Sequence, residues 1–186
     1  MPISTLSSTA AIQPIGVSVL GLHHSAWRCR DAEETRHFYE DLLGLPLIHI
    51  VRAEVVPSTG EYCPYVHLFF QMKDGSCIAF FDLGDDQLAE PSPNTPAWVT
   101  HLALTVPNRE DLYQAKARLE AAGVDVLGVI DHHEFVESIY FYDPNGIRLE
   151  LTIQKAGDDY MSEALRTARA KLDAWVQEKQ ARAVAQ

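Results

Sequence analysis

The sequence predicts an α+β fold: two copies of a strand–helix–strand–strand–strand (βαβββ) unit, forming a curved mixed sheet, followed by one long C-terminal helix. Three observations carry this. His24 precedes Asp31 by the same interval at which His101 precedes Asn108, and each interval leads from a short strand into an amphipathic helix. Both copies close on a turn and a strand, Asp74-Gly75 before Cys77–Asp82 and Asp143-Pro144-Asn145-Gly146 before Ile147–Thr152. After Glu150 the apolar period changes from two to that of a helix.

In the first copy a strand runs through His24, Ala26 and Arg28. Asp31, with Glu34 three residues on, forms a capping-box pattern that starts a helix to Leu43, and Gly44 suits the left-handed residue just past its end. Strands Leu47–Val51, Tyr65–Gln71 and Cys77–Asp82 follow, with Asp74-Gly75 as the hairpin signal between the last two. The second copy repeats the order: a strand through His101, Ala103 and Thr105, a cap at Asn108, a helix to Ala122 with Gly123 behind it, then Val124–Ile130, Ser138–Tyr142 and Ile147–Thr152. Residues 84–97, rich in Asp, Pro and Ser, read as the linker between modules 16–83 and 98–154. Residues 1–15 read as a flexible arm, and residues 155–186 as the helical C-terminus. There Met161, Leu165, Ala168, Leu172, Trp175 and Val176 form one stripe from Asp158 to about Ala183, which either the chain's own sheets or a partner subunit must cover.

Composition narrows the function classes. With 186 residues, 47% of them apolar, the chain is globular, and no apolar run approaches the ~18–20 residues needed to cross a bilayer. Twenty-six acidic against fifteen basic side chains give a formal charge of −11, a surface that repels nucleic acid and anionic lipid. Three cysteines without a C-x-x-C pair argue against a disulfide scaffold, and the first residues lack the pattern of a secretory signal. The expectation is a cytoplasmic protein that binds neither nucleic acid nor membrane.

His24 and His101 occupy equivalent places in the two first strands, and Glu150 lies between Leu149 and Leu151 in the last. Strand alternation sends Arg148 and Glu150 to the face opposite those leucines. If the two sheets join into one curved surface, His24 and His101 face each other across a cup and Glu150 completes a facial set around a metal site. Two imidazoles and one carboxylate, leaving open positions, are the donor set of a non-haem Fe(II) oxygenase, with room for a bidentate substrate and dioxygen. In the first copy the position of Glu150 falls to Ala79, which cannot ligate and so keeps the metal open. His23, His37, His49 and His133 have no symmetric partner and read as structural or surface residues.

The duplicated unit with His24, His101 and Glu150 resembles the vicinal oxygen chelate superfamily over Leu20 to Thr152, a group of glyoxalases, methylmalonyl-CoA epimerases, fosfomycin and bleomycin resistance proteins and type I extradiol ring-cleavage dioxygenases. Within it, Ile130-Asp131-His132, six residues, and then Ile139-Tyr140-Phe141-Tyr142-Asp143-Pro144-Asn145-Gly146-Ile147-Arg148-Leu149-Glu150 is similar to the extradiol dioxygenase signature. The resemblance implies that His24, His101 and Glu150 bind Fe(II), with Mn(II) as its chemical cousin. It also implies that His132 and Tyr140 hydrogen-bond the oxygens of a small aromatic substrate that reacts with O2. The chain departs from the larger dioxygenases in carrying one pair of modules rather than two. His67 lies two residues before Phe69, the repeat equivalent of Tyr140, so its parity points it into the same cup as a candidate acid–base group, with a core histidine as the alternative. Two other readings stay open. A glyoxalase- or epimerase-like lyase or isomerase would use Ni, Co or Zn, with Gln71 in place of the ligand absent at Ala79. A resistance-type protein would bind a small molecule without turnover. The long helix and the open strand edges are compatible with a homodimer.

Overall fold

Each helix starts where its cap dictates. Asp31 and Asn108 are extended residues whose side chains accept hydrogen bonds from the backbone amides of Glu34 and Asp111, satisfying donors the first turn leaves free. In a computed structural model that describes residues 19–184, they open α1 (Ala32–Arg36) and α2 (Arg109–Ala121). The expected arm at residues 1–15 lies outside the described residues. Around these helices run β1 (His24–Cys29), β2 (Leu47–Val55), β3 (Tyr62–Gln71), β4 (Cys77–Asp82), β5 (Leu102–Thr105), β6 (Leu127–Asp131), β7 (Val136–Tyr142) and β8 (Arg148–Gln154). The long α3 (Asp158–Val184) closes the chain. Among the described residues, no helix is long and apolar enough to cross a membrane.

The strands form two four-stranded mixed sheets of identical topology, ordered β1-β4-β3-β2 and β5-β8-β7-β6. In each, the first strand pairs parallel with the last and the other pairings are antiparallel. The α+β duplication read from the sequence is therefore the observed architecture. The sheets are two separate ladders rather than one continuous curved surface.

Several boundaries differ from expectation. The first helix does not run as α-helix to Leu43 but continues as a π-helical segment, His37–Leu42, whose wide turn lets the adjacent Phe38 and Tyr39 both reach the core. β2 and β3 outlast β4: Ala53 pairs with Tyr65 and Val55 with Tyr62, beyond the last β3–β4 partners Val66 and Asp82. β6 begins at Leu127 rather than Val124, because Val124 and Val126 pack against the core beneath the sheet. β5 begins at Leu102, which leaves His101 just ahead of it.

A single apolar core joins the two modules. Trp27, Cys29, Leu68, Phe70, Ile78 and Phe80 project from one sheet, and Leu102, Leu104, Ile139, Phe141, Leu149 and Leu151 from the other. Each fully buried side chain of this size contributes roughly 1.5–3 kcal/mol to folding. Tyr39 stacks on Phe70 at 5.3 Å between ring centroids, and its hydroxyl donates to Asp143 Oδ2 at 3.0 Å in the other module. Asn145 donates from Nδ2 to Thr35 Oγ1 at 3.1 Å and accepts from the Arg30 amide at 3.0 Å. Burial pushes the Asp143 carboxyl and the Tyr39 hydroxyl above their usual ranges. Each sheet thus turns its apolar face toward the shared core and its other face away from it.

Candidate functional site

Strand register defines the outer faces. In the first sheet, Ala26, Ala79 and Phe69 lie side by side across β1, β4 and β3. In the second, Ala103, Glu150 and Tyr140 occupy the same places across β5, β8 and β7. His24 stands two residues before Ala26, and His101 two before Ala103, so the duplication holds down to individual positions.

On the second face the side chains are tightly held. His101 Nε2 lies 3.1 Å from Glu150 Oε2. The other ring nitrogen, Nδ1, is 3.1 Å from the Val99 carbonyl, which can only accept, so Nδ1 carries a hydrogen and Nε2 is the nitrogen turned to Glu150. A ring nitrogen and a carboxylate oxygen at this distance are held together by a proton or a cation between them. Glu150 is buried, and its Oε1 accepts from Ser138 Oγ at 2.5 Å, which fixes the carboxylate's orientation. This donor pair fits one side of a divalent metal site. His132 emerges from the turn after β6, where His133 is in the left-handed region at φ 61, and its Nε2 is 2.8 Å from the Tyr140 hydroxyl. Arg148 lies over the Tyr140 ring at 4.1 Å. Burial, and then the Glu150 carboxylate, raise the Tyr140 hydroxyl above its usual value.

The first face holds the remaining candidates. The His24 ring is 5.9 Å from that of His67 and 5.4 Å from that of Phe69, and its Nδ1 is 2.7 Å from His23 Nδ1. His67 is 8% exposed and stacked on Phe81, and its Nε2 has no hydrogen-bond partner among the described residues. Burial, helped by His24 and His49 nearby, holds its pKa below the usual histidine value.

The structure therefore brings His101, Glu150, Tyr140 and His132 onto one face, and His24 and His67 onto another. It does not bring His24 to the His101–Glu150 pair, and among the described residues no three His, Cys, Asp or Glu side chains converge as a metal-binding group. The cup that the repeat suggested, within one chain or between two, does not form within this one, because the two modules dock through the faces that share the apolar core. A cavity of about 510 Å³ lies on the core side, between Leu42, Met72, Leu104, Val106, Leu119 and Leu151, away from these side chains. Sequence reasoning missed Ser138 as the group that orients Glu150; its parity with Tyr140 on β7 was the available signal.

Comparison with known proteins gives a consistent picture. Residues 21–151 match the family model described as the Glyoxalase/Bleomycin resistance protein/Dioxygenase superfamily. The chain is 28% identical over 148 residues to Bacillus subtilis (strain 168) MhqA, provisionally named a ring-cleaving dioxygenase. That alignment covers 77% of this chain but only 43% of MhqA, so the chain spans less than half the length of that relative. Among solved structures, a glyoxalase/bleomycin resistance protein/dioxygenase domain from Frankia sp. EAN1pec superposes with a TM-score of 0.59 at 19% identity, covering 74% of this chain and 99% of that one. A glyoxalase/dioxygenase from Nostoc punctiforme gives 0.54 at 23% identity, covering 79% and 99%. A point mutant of the fosfomycin resistance protein FosX from Listeria monocytogenes, complexed with Mn(II) and 1S,2S-dihydroxypropylphosphonic acid, gives 0.53 at 22% identity, covering 76% and 97%. These structural likenesses establish the fold.

Proposed function

The chain belongs to the Glyoxalase/Bleomycin resistance protein/Dioxygenase superfamily, and from that premise we propose that it is a metal-dependent dioxygenase that opens a catechol-like aromatic ring with O2. The observation that carries this reading is the pairing of His132 with Tyr140 at 2.8 Å on the face that also holds His101 and Glu150. A proton donor–acceptor pair beside a metal-ligand pair suits a substrate that chelates through two adjacent oxygens. The similarity to MhqA supports the same assignment.

His101 and Glu150 are the proposed donors from one chain and His24 the third. Because the His24 face and the His101–Glu150 face both turn away from their own core, we propose that His24 comes from a second copy, so that the two outer faces meet around one ion. Fe(II) is the proposed metal. When bound, it supplies the electron path between ring and dioxygen and acts as a Lewis acid toward the substrate oxygens.

The chain's own residues have separable tasks. His67, kept neutral by burial, accepts a hydroxyl proton from the substrate at Nε2, the atom left without a partner. Tyr140 and His132 hold a substrate oxygen by hydrogen bonding, with Arg148 stacked on the tyrosine to keep its ring in place. Phe69 and Phe81, beside His67, offer an aromatic wall that excludes water. Ser138 fixes the Glu150 carboxylate.

The test is anaerobic reconstitution with Fe(II), addition of a panel of catechols, and admission of air in an oxygen electrode. Oxygen uptake with a yellow ring-fission product is expected. Metal-loaded protein that consumes no oxygen with any catechol, but turns over a hemithioacetal, would replace this reading with a lyase. Protein that binds an aromatic ligand without metal or turnover would replace it with a binding role.

A further inference from the structure

α3 lies beyond residues 21–151, so nothing in the family match accounts for it. It has 27 residues, about 40 Å of helix. Its aromatic and sulfur contacts with the body fall in the first turn, where Tyr160 stacks on Phe135 and Met161 Sδ is 3.7 Å from Gln154 Nε2. Beyond that turn, Leu165 is 81% exposed, and Leu172, Trp175 and Val176 are exposed as well. A helix gains most of its stability by packing an apolar face, so a stripe of this size calls for a cover.

The spacing identifies the kind of cover. Asp158, Met161, Leu165, Ala168, Leu172, Trp175, Lys179 and Arg182 follow one another in alternating steps of three and four residues, the seam of a two-helix coiled coil. Arg182 already lies on this seam, its guanidinium 5.1 Å from the Trp175 ring centre. The ends of the seam carry opposite charge: Asp158 at the start, Lys179 and Arg182 at the finish.

We propose that α3 pairs antiparallel with α3 of a second copy of this chain. In that orientation Asp158 faces Arg182 of the second copy, Leu165 faces Trp175, and Ala168 faces Leu172, a small residue against a large one. Lys179 lays its alkyl stem over Met161 and keeps its ammonium in water. A parallel pair would set Asp158 on Asp158, Lys179 on Lys179 and Arg182 on Arg182, like charges in contact at both ends. Charge complementarity along the seam thus selects both the partner and its direction. The pairing is independent of the metal and of the proposed chemistry.

The experiment is disulfide trapping in the full chain. The variant L165C/W175C, under mild oxidation, is expected to form a covalent dimer, whereas L165C alone and W175C alone are not. In the antiparallel pair, identical positions lie about 15 Å apart along the axis, beyond the reach of a disulfide. The unsubstituted chain, with its own free Cys29, Cys63 and Cys77, is the control. A charge series checks the direction without touching the apolar seam: D158R or R182D alone weakens α3-mediated association by on the order of tenfold, and D158R/R182D together restores it. Cross-linking of the single-cysteine variants would overturn the orientation. Absence of cross-linking in the double-cysteine variant, with no response to the charge series, would overturn the pairing and leave α3 to cover the body or a different protein.

Discussion

Ala79 holds in the first sheet the register position that Glu150 holds in the second. Ala79 lies between Ala26 and Phe69, and Glu150 between Ala103 and Tyr140. The duplication therefore repeats the backbone of the site while keeping its carboxylate only once. Ala79 is fully buried, so Ala79→Glu is expected to lower stability by about 2–4 kcal/mol, because its charge would enter a space with no donor prepared for it. Urea unfolding followed by circular dichroism gives the value; an unchanged midpoint would show that the first sheet has room for the missing ligand.

If the metal set spans two copies, inactive variants should complement each other. A His24→Ala chain and a Glu150→Gln chain, co-refolded at equal amounts, are expected to regain about a quarter of the native oxygen uptake. Half of the dimers would be mixed, and each would hold one complete site. No recovery beyond the separate variants would place the whole ligand set in one chain.

Ser138 touches the proposed ligand rather than the metal. Ser138→Ala frees Glu150 Oε1 from its 2.5 Å hydrogen bond and is expected to cost about 10–100-fold in metal affinity, together with about 1–3 kcal/mol of stability, because a buried carboxylate oxygen loses its donor. Competition against a chelator of known affinity measures it.

Tyr140 and His132 should matter for turnover more than for metal content. Tyr140→Phe and His132→Ala are each expected to lower kcat by on the order of a hundredfold or more, with Fe(II) stoichiometry retained. Loss of iron in step with activity would instead make them part of the metal's support.

His67 gives the pH expectation. Its folded pKa lies below 6.5, so the unfolded chain takes up this proton first as the pH falls. The stability it contributes is present above pH 6.5 and is lost as the pH drops from there through the depressed folded value. His67→Gln should therefore show a flatter dependence of unfolding free energy on pH between 8 and 5 than the native chain, as measured by denaturant titration at each pH. Parallel curves for the two proteins would mean that His67 titrates as it does in water.

Much of this fold was legible because its signals are local. The caps at Asp31 and Asn108, and the glycines at 44 and 123 with φ of +73 and +81, mark helix ends by chemistry that needs no distant partner. Alternation put Glu150 and Arg148 on one face, as observed, and the repeat made Tyr140 the counterpart of Phe69, in keeping with the two ladders. The docking of the modules was not legible. Periodicity says which residues share a face, but not which faces of two similar units will meet, and that choice separates His24 from Glu150. The π-helical turn at His37–Leu42 was hidden for a related reason: its cause is the joint burial of Phe38 and Tyr39, a tertiary demand.

The turn at residues 143–146 ties these levels together. Asp143 and Asn145 bond to Tyr39, Thr35 and Arg30 of the other module, and five residues after Asn145 the strand that follows, β8, presents Glu150. Sliding one half of the molecule against the other would drag that carboxylate with it. The aim of the proposed ligand is therefore geared to the seating of the two halves, and a mutation at Tyr39, which donates to Asp143, should be felt at the opposite surface without any direct contact.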